Sequence, residues 1–171
     1  AGGMFCEEAL RSGGFGRVVG IEPSSAQAAT CRALGIEVWE SVLERATDFQ
    51  VTAQVVVSFE TIEHVFSPRA FLQSCHSLLE ADGILAITCP NYMGFDISEL
   101  GTLSDSLDAE HINLFNPKSL RKLVESCGFV VVELSTPGEL DAELVRNKVI
   151  EGTHSLDKQP FLSRVLLDEW D

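Results

Sequence analysis

Apolar residues fall into short β-branched runs separated by stretches with helical spacing. The clearest is Val55-Val56-Val57, which leads through Ser58 and Phe59 into Glu60-Thr61-Ile62-Glu63-His64. An apolar run that ends in a polar cluster reads as a buried strand delivering chemistry at its carboxyl end. The same logic predicts strands over 17–21, 36–39, 54–59, 84–88 and 129–134. Helical spacing predicts helices over 4–10, 25–34, 68–80, 117–126, 139–150 and 161–170, with one or two helical turns over 40–46. Ser24 stands where an N-cap belongs, Pro68 and Pro117 where helices open, and Gly13, Gly35 and Gly128 where they close. Asp82-Gly83 predicts a turn, and 92–115, without a clean period, predicts a long loop with one short helix.

Helices alternating with strands imply an α/β fold, a mostly parallel sheet with helices on both faces. The domain reading is a core over 1–135 and a helical extension over 136–171 whose apolar positions include Leu144, Val145, Leu162 and Leu166. That extension has three possible partners: the sheet, the substrate site as a cover, or a second subunit in a homodimer.

Composition narrows the function. The 171 residues are 45% hydrophobic, enough for a core, and 26 acids against 12 bases give a net charge of −14. A field of that sign disfavours nucleic acid and anionic membrane surfaces as partners. Five scattered cysteines with no CxxC pair fit reduced core thiols in a cytoplasmic protein, not a disulfide framework or a zinc site. No apolar run approaches the roughly 18 residues of a membrane span.

Glu22 follows a short strand and precedes a helix. A carboxylate there suits two vicinal ribose hydroxyls, one per oxygen. Gly2-Gly3 precedes a helix start, where glycine lets a ligand approach backbone N–H groups. His64 and His111 each stand beside a Glu near a proposed strand end and are the candidate proton acceptors. Each could equally be structural, His64 as a capping or packing residue and His111 as a loop anchor. His76 and His154 are given no role. Glu60 and His64, four apart, would share one side of a helical turn, so Glu60, Glu63 and His64 could hold a divalent ion. On the simpler reading Glu60 and His64 shape a pocket, Glu63 faces solvent and no metal is bound.

An ordered set of motifs carries a family resemblance: Gly2-Gly3-Met4-Phe5, Val19-Gly20-Ile21-Glu22-Pro23-Ser24, Glu60-Thr61-Ile62-Glu63-His64-Val65, Leu79-Glu80-Ala81-Asp82-Gly83, Cys89-Pro90-Asn91, Glu110-His111-Ile112-Asn113-Leu114-Phe115 and Cys127-Gly128-Phe129. Over roughly 1–135 the chain resembles class I S-adenosylmethionine-dependent methyltransferases, the broad group that includes ubiquinone-type O-methyltransferases. The resemblance implies a Rossmann-like sheet, incomplete here at both ends: the family's first strand would precede Ala1, and its last, antiparallel strand has no counterpart after Leu134. It implies that Gly2 and Gly3 lie beside the methionine moiety of S-adenosylmethionine and that Glu22 binds its ribose. It also implies that Val42 and Leu43 line the adenine, and that Ser58, Phe59 and Glu60 close over the cofactor. A divalent metal is associated with the matching Glu-x-x-Glu-His motif. The expected reaction is methyl transfer to a small-molecule acceptor, most often at oxygen. Two rival readings stand beside it: an NAD-dependent Rossmann oxidoreductase, and a degenerate domain that only binds a partner.

Overall fold

A computed structural model describes residues 2–45, 51–137 and 141–168. The chain divides into two compact units: Ala1–Val56 with Ala70–Leu85, and Val57–Arg69 with Ala86–Asp171.

In the first unit, helix α1 (Met4–Ser12) begins after Gly2 and Gly3, both left-handed at φ 59° and 79°. It stops at Gly13, also left-handed, whose N–H returns to the carbonyl of Leu10. Strand β1 (Val19–Ile21), helix α2 (Ser25–Ala33) and strand β2 (Glu37–Trp39) form a βαβ unit. The two strands are parallel, with Val19 opposite Glu37 and Ile21 opposite Trp39. Ser24 caps α2 by accepting the N–H of Gln27. Ala28, Cys31, Ile36 and Val38 are buried together, with Cys6 packed on them.

Strands β3 (Ala53–Phe59) and β4 (Leu79–Thr88) pair in a second two-stranded sheet. Between them runs α3 (Pro68–Leu78), whose apolar face buries Phe71, Leu72, Cys75 and Leu78. Burial pushes the Cys75 thiol up to about 12, so it packs as a neutral group.

In the second unit, α4 (Phe95–Leu100) runs into a 3-10 turn over Gly101–Leu103. Helix α5 (Pro117–Ser126) opens on a reciprocal cap: Asn116 accepts the N–H of Ser119, and the Ser119 hydroxyl accepts the N–H of Asn116. Helices α6 (Ala142–Ile150) and α7 (Pro160–Leu167) close the chain. Leu100, Val145, Leu156 and Leu166 form the core that joins them to α4. The apolar positions of the tail therefore pack on the 92–115 segment rather than on a sheet. No helix among the described residues is long and apolar enough to cross a membrane.

Three elements differ from the sequence reading. The segment 129–134 carries no strand assignment: the N–H of Phe129 turns back to the Val124 carbonyl, and Val130 and Val132 stand 87% and 96% exposed. Alternating apolar residues form a strand only where a partner takes up the backbone hydrogen bonds. Asp82 adopts the left-handed turn conformation (φ 61°), yet the ladder continues on both sides of it. Strand β4 therefore starts at Leu79 and takes two residues expected in α3. Residues 61–64 form a turn, not a helical one, since the N–H of His64 reaches the carbonyl of Thr61 three residues back. The turns expected over 40–46 reduce to a 3-10 turn at 43–45; Ala46, residues 139–140 and residues 169–170 lie outside the described residues.

Candidate functional site

Strand β3 ends at Phe59, and the backbone then turns sharply. Glu60 is left-handed at φ 47°, a conformation that costs a non-glycine residue about 1–2 kcal/mol. It is held by Thr88 at the end of β4: the Glu60 N–H donates to the Thr88 carbonyl at 3.1 Å, and the Thr88 hydroxyl donates to Glu60 Oε1 at 2.6 Å. The carboxylate of Glu60 is thereby committed to the strand end, beside half-buried Ser58 and exposed Phe59.

The following turn carries Glu63 inward. Its side chain is 1% exposed, and neither carboxylate oxygen has a hydrogen-bond partner. Sequence reasoning put Glu63 in solvent, because four-residue spacing on an assumed helix paired Glu60 with His64. The tighter turn buries Glu63 instead and sets its Oε1 3.7 Å from His64 Nε2. Burial raises the Glu63 pKa; the nearby Glu60 charge adds to this, while His64 and His111 oppose it.

His111 comes to the same place from a distant loop. The two imidazole rings lie 4.7 Å apart between centroids, tilted by 56°. His64 Nδ1 is 3.0 Å from the carbonyl of Glu110, and His111 Nδ1 is 2.8 Å from the carbonyl of Ser106. A carbonyl only accepts, so each Nδ1 carries a proton and each neutral ring keeps its lone pair on Nε2. One ligand atom each from Glu63, His64 and His111 all lie within 4.8 Å of one another. Imidazoles oriented by carbonyls and facing an unpartnered carboxylate fit a divalent cation better than the Glu60, Glu63 and His64 set read from spacing.

The loop that carries His111 is built for rigidity. Buried Asp96, in the first turn of α4, accepts the hydroxyls of Ser104 at 2.5 Å and Ser106 at 2.9 Å. Asp108 accepts the N–H groups of Glu110 and His111, which holds its carboxyl below the usual range. None of these anchors was singled out from sequence; an Asp followed by closely spaced serines was the available signal. Beyond β4, Cys89, Pro90, Phe115, Pro117, Leu120 and Leu134 line a small, mostly apolar cleft open to solvent, with Asn91 and Asn116 among its polar residues. Burial, with Glu63 and Glu60 nearby, pushes the Cys89 thiol up to about 11.

The first unit holds the other predicted residues. A side chain at Gly2 would meet no atom within 4 Å, so this backbone is open to a ligand. Gly3 differs: a Cβ there would fall 2.7 Å from Ile36 Cδ1 and 3.0 Å from Cys31 Sγ, so its glycine serves packing. Half-buried Glu22 continues from β1, its N–H on the carbonyl of Trp39. Its Oε1 accepts the N–H of Ser24 at 2.8 Å, which fixes the carboxylate and leaves Oε2 without a partner among the described residues. An open glycine and an oriented acid with a free oxygen fit a ligand bearing a diol. Val42 is exposed and Leu43 half-buried beside the 43–45 turn.

The model of a family described as "Methyltransferase domain" matches residues 1–134. The ubiquinone biosynthesis O-methyltransferase of Rhodopseudomonas palustris (strain TIE-1) is 28% identical over 176 residues, 98% of this chain and 61% of that protein. The chain thus spans about three fifths of the length of that curated relative. Among solved structures, a SAM-dependent methyltransferase from Archaeoglobus fulgidus superposes with a TM-score of 0.60 at 18% identity, over 96% of this chain and 76% of that one. An O-methyltransferase family protein from Burkholderia thailandensis gives a TM-score of 0.60 at 21% identity, over 78% and 45%. At these identities the structural likeness is one of fold, and that fold is Rossmann-like α/β.

Proposed function

The chain belongs to the methyltransferase-domain family, and on that premise we propose that its parent protein methylates a hydroxyl oxygen of a small-molecule acceptor. Bound S-adenosylmethionine supplies the methyl group on a sulfonium, already a strong electrophile. The protein's own work is to align the acceptor and take its proton. Glu22 and Gly2 serve the cofactor in the first unit, and Gly3 shapes the turn beside Gly2 by packing against Ile36 and Cys31. Val42 and Leu43, of the same unit, are proposed for its adenine end; Ser58, Phe59 and Glu60, at the end of β3, are proposed as cofactor residues on the family resemblance alone.

His64 is the proton acceptor in this reading. Its Nε2 is free, its ring is oriented by the Glu110 carbonyl, and the Glu63 carboxylate 3.7 Å away would stabilise the imidazolium that forms. His111 stands against it and holds the ring in place. The same Glu63, His64 and His111 would alternatively hold a divalent cation through those Nε2 lone pairs; His64 would then be a ligand and not the proton acceptor, and the cation would supply Lewis-acid polarisation of the acceptor oxygen. The apolar cleft beside Cys89 suits a ring-bearing acceptor better than a highly charged one. One observation supports the reading: a buried carboxylate without a hydrogen-bond partner among the described residues, gathered with two imidazoles whose Nδ1 atoms are engaged by backbone carbonyls.

The test is transfer of labelled methyl from S-adenosylmethionine to hydroxylated aromatic acceptors, with and without chelator. His64→Ala is expected to lower kcat by roughly 100-fold or more while leaving cofactor affinity intact. Full activity in His64→Ala would remove His64 from the reaction. Activity unaffected by chelator would leave the proton-acceptor role alone and dismiss the metal.

A further inference from the structure

Two chain segments distant in sequence must meet in one register for Glu63, His64 and His111 to face one another. The first is the 62–65 turn and the second the 110–115 loop. Asn113 joins them. Its Nδ2 lies 2.6 Å from the Val65 carbonyl, 3.3 Å from that of Glu63 and 3.5 Å from that of Ile62. All three neighbours are acceptors, so the amide orientation follows from the contacts: only the NH₂ end can face them. The N–H of Asn113 adds a fourth link, to the Glu63 carbonyl at 3.0 Å.

His111 meets the turn as well, by ring contact with His64 and not by a hydrogen bond. The bond from His64 Nδ1 to the Glu110 carbonyl runs the other way, from turn to loop. The far end of the loop is tied elsewhere, by the N–H of Tyr92 on the Phe115 carbonyl at 2.6 Å and by the Asn91–Phe115 bridge. The Asp96 and Asp108 bonds keep the loop's own shape, so release at position 113 would let the loop shift as a unit against the turn, carrying His111 away from His64. Displacement of a catalytic group by about 1 Å can cost on the order of 100-fold in rate.

We propose that Asn113 is the positioning residue of the site: by donating its amide into the carbonyls of the 62–65 turn, it sets the mutual placement of His64 and His111. The catalytic part of this inference rests on the methyltransferase reading above; the geometric part does not.

The experiment compares Asn113→Leu, of similar shape but without the donor, with wild type in the full-length protein. Asn113→Ser, which keeps one donor, is the milder second variant. Asn116→Ala, which weakens the cap of α5 without touching the turn, controls for lost stability. The direct readout is the nuclear Overhauser contact between the His64 and His111 ring protons, recorded without cofactor. We expect that contact to vanish in Asn113→Leu, weaken in Asn113→Ser and persist in Asn116→Ala. We also expect kcat to fall by roughly 10–100-fold in Asn113→Leu with KM for S-adenosylmethionine unchanged. If Asn113→Leu does not fold, Asn113→Ser decides. A wild-type ring contact in the folded Asn113 variants overturns the proposal. Wild-type protein that transfers no methyl group would instead sink the functional reading, while the ring contact still decides the role of Asn113.

Discussion

Glu63→Gln isolates a buried carboxylate that has no hydrogen-bond partner among the described residues. Glu63 is 1% exposed with both oxygens unpartnered, and burial raises its pKa. Free of metal, the folded state therefore holds the Glu63 proton more tightly than the unfolded chain does. As pH rises from the unfolded pKa through the raised folded one, the folded state must give up that proton into a site that resists the charge. Stability is thus lost as pH rises across this window and stays lower above it. Glutamine keeps the shape and cannot ionise. The neutral amide and the protonated acid share the cost of an unsatisfied buried group, so the difference is the ionisation alone: Glu63→Gln should be the more stable protein at pH 8, by about 1.4 kcal/mol for each unit by which burial raises the Glu63 pKa. For a chain of this size each kcal/mol moves Tm by roughly 2–4 °C. The assay is thermal unfolding followed by circular dichroism from pH 4 to 8 after chelation. The two curves should converge at the acid end and separate as pH rises. A Glu63→Gln protein that melts below wild type at pH 8, or parallel curves throughout, would refute the argument. Adding a divalent cation should then reverse the order, because an ion bound by the native state stabilises only the protein that keeps the carboxylate.

Two further outcomes follow from local geometry. Gly3→Ala must place a Cβ at φ 79° and 2.7 Å from Ile36 Cδ1, so chemical denaturation should register a loss of about 1–2 kcal/mol from the left-handed backbone alone; unchanged stability would mean that α1 starts differently. Asn116→Ala removes the reciprocal cap of α5 and should cost about 1 kcal/mol in the same measurement; unchanged stability would mean that the cap contributes nothing to the start of α5.

Much of the framework could be read from residue spacing because it is local. Ser24, Pro117 and Gly13 end or begin helices through bonds to neighbours within four residues, and the structure shows those bonds. Three things could not be read. The segment 129–134 has the residues of a strand, but strand formation depends on a partner that no local pattern reveals. The 61–64 turn looked like a helical start, and a change of one residue in its hydrogen-bond span moved Glu63 from the surface to the interior. The meeting of His64 with His111 spans 47 positions and brings together a turn and a loop that carries the Asn113, Asp96 and Asp108 hydrogen bonds. Sequence showed both histidines beside acids but carried no measure of the distance between them. The role of Glu22 was more accessible, because strand end, acid and helix start are consecutive.

The central claim is that this chain is built to present S-adenosylmethionine for methyl transfer. Calorimetric titration of the full-length protein with S-adenosylhomocysteine, with NAD in parallel and Glu22→Ala as the variant, tests it most directly. The account predicts micromolar binding of S-adenosylhomocysteine, none of NAD, and affinity lost or reduced at least about tenfold in Glu22→Ala, the equivalent of one bonded hydroxyl at roughly 1.4 kcal/mol. A folded protein that ignores S-adenosylhomocysteine, or binds it equally well without the Glu22 carboxylate, would contradict it.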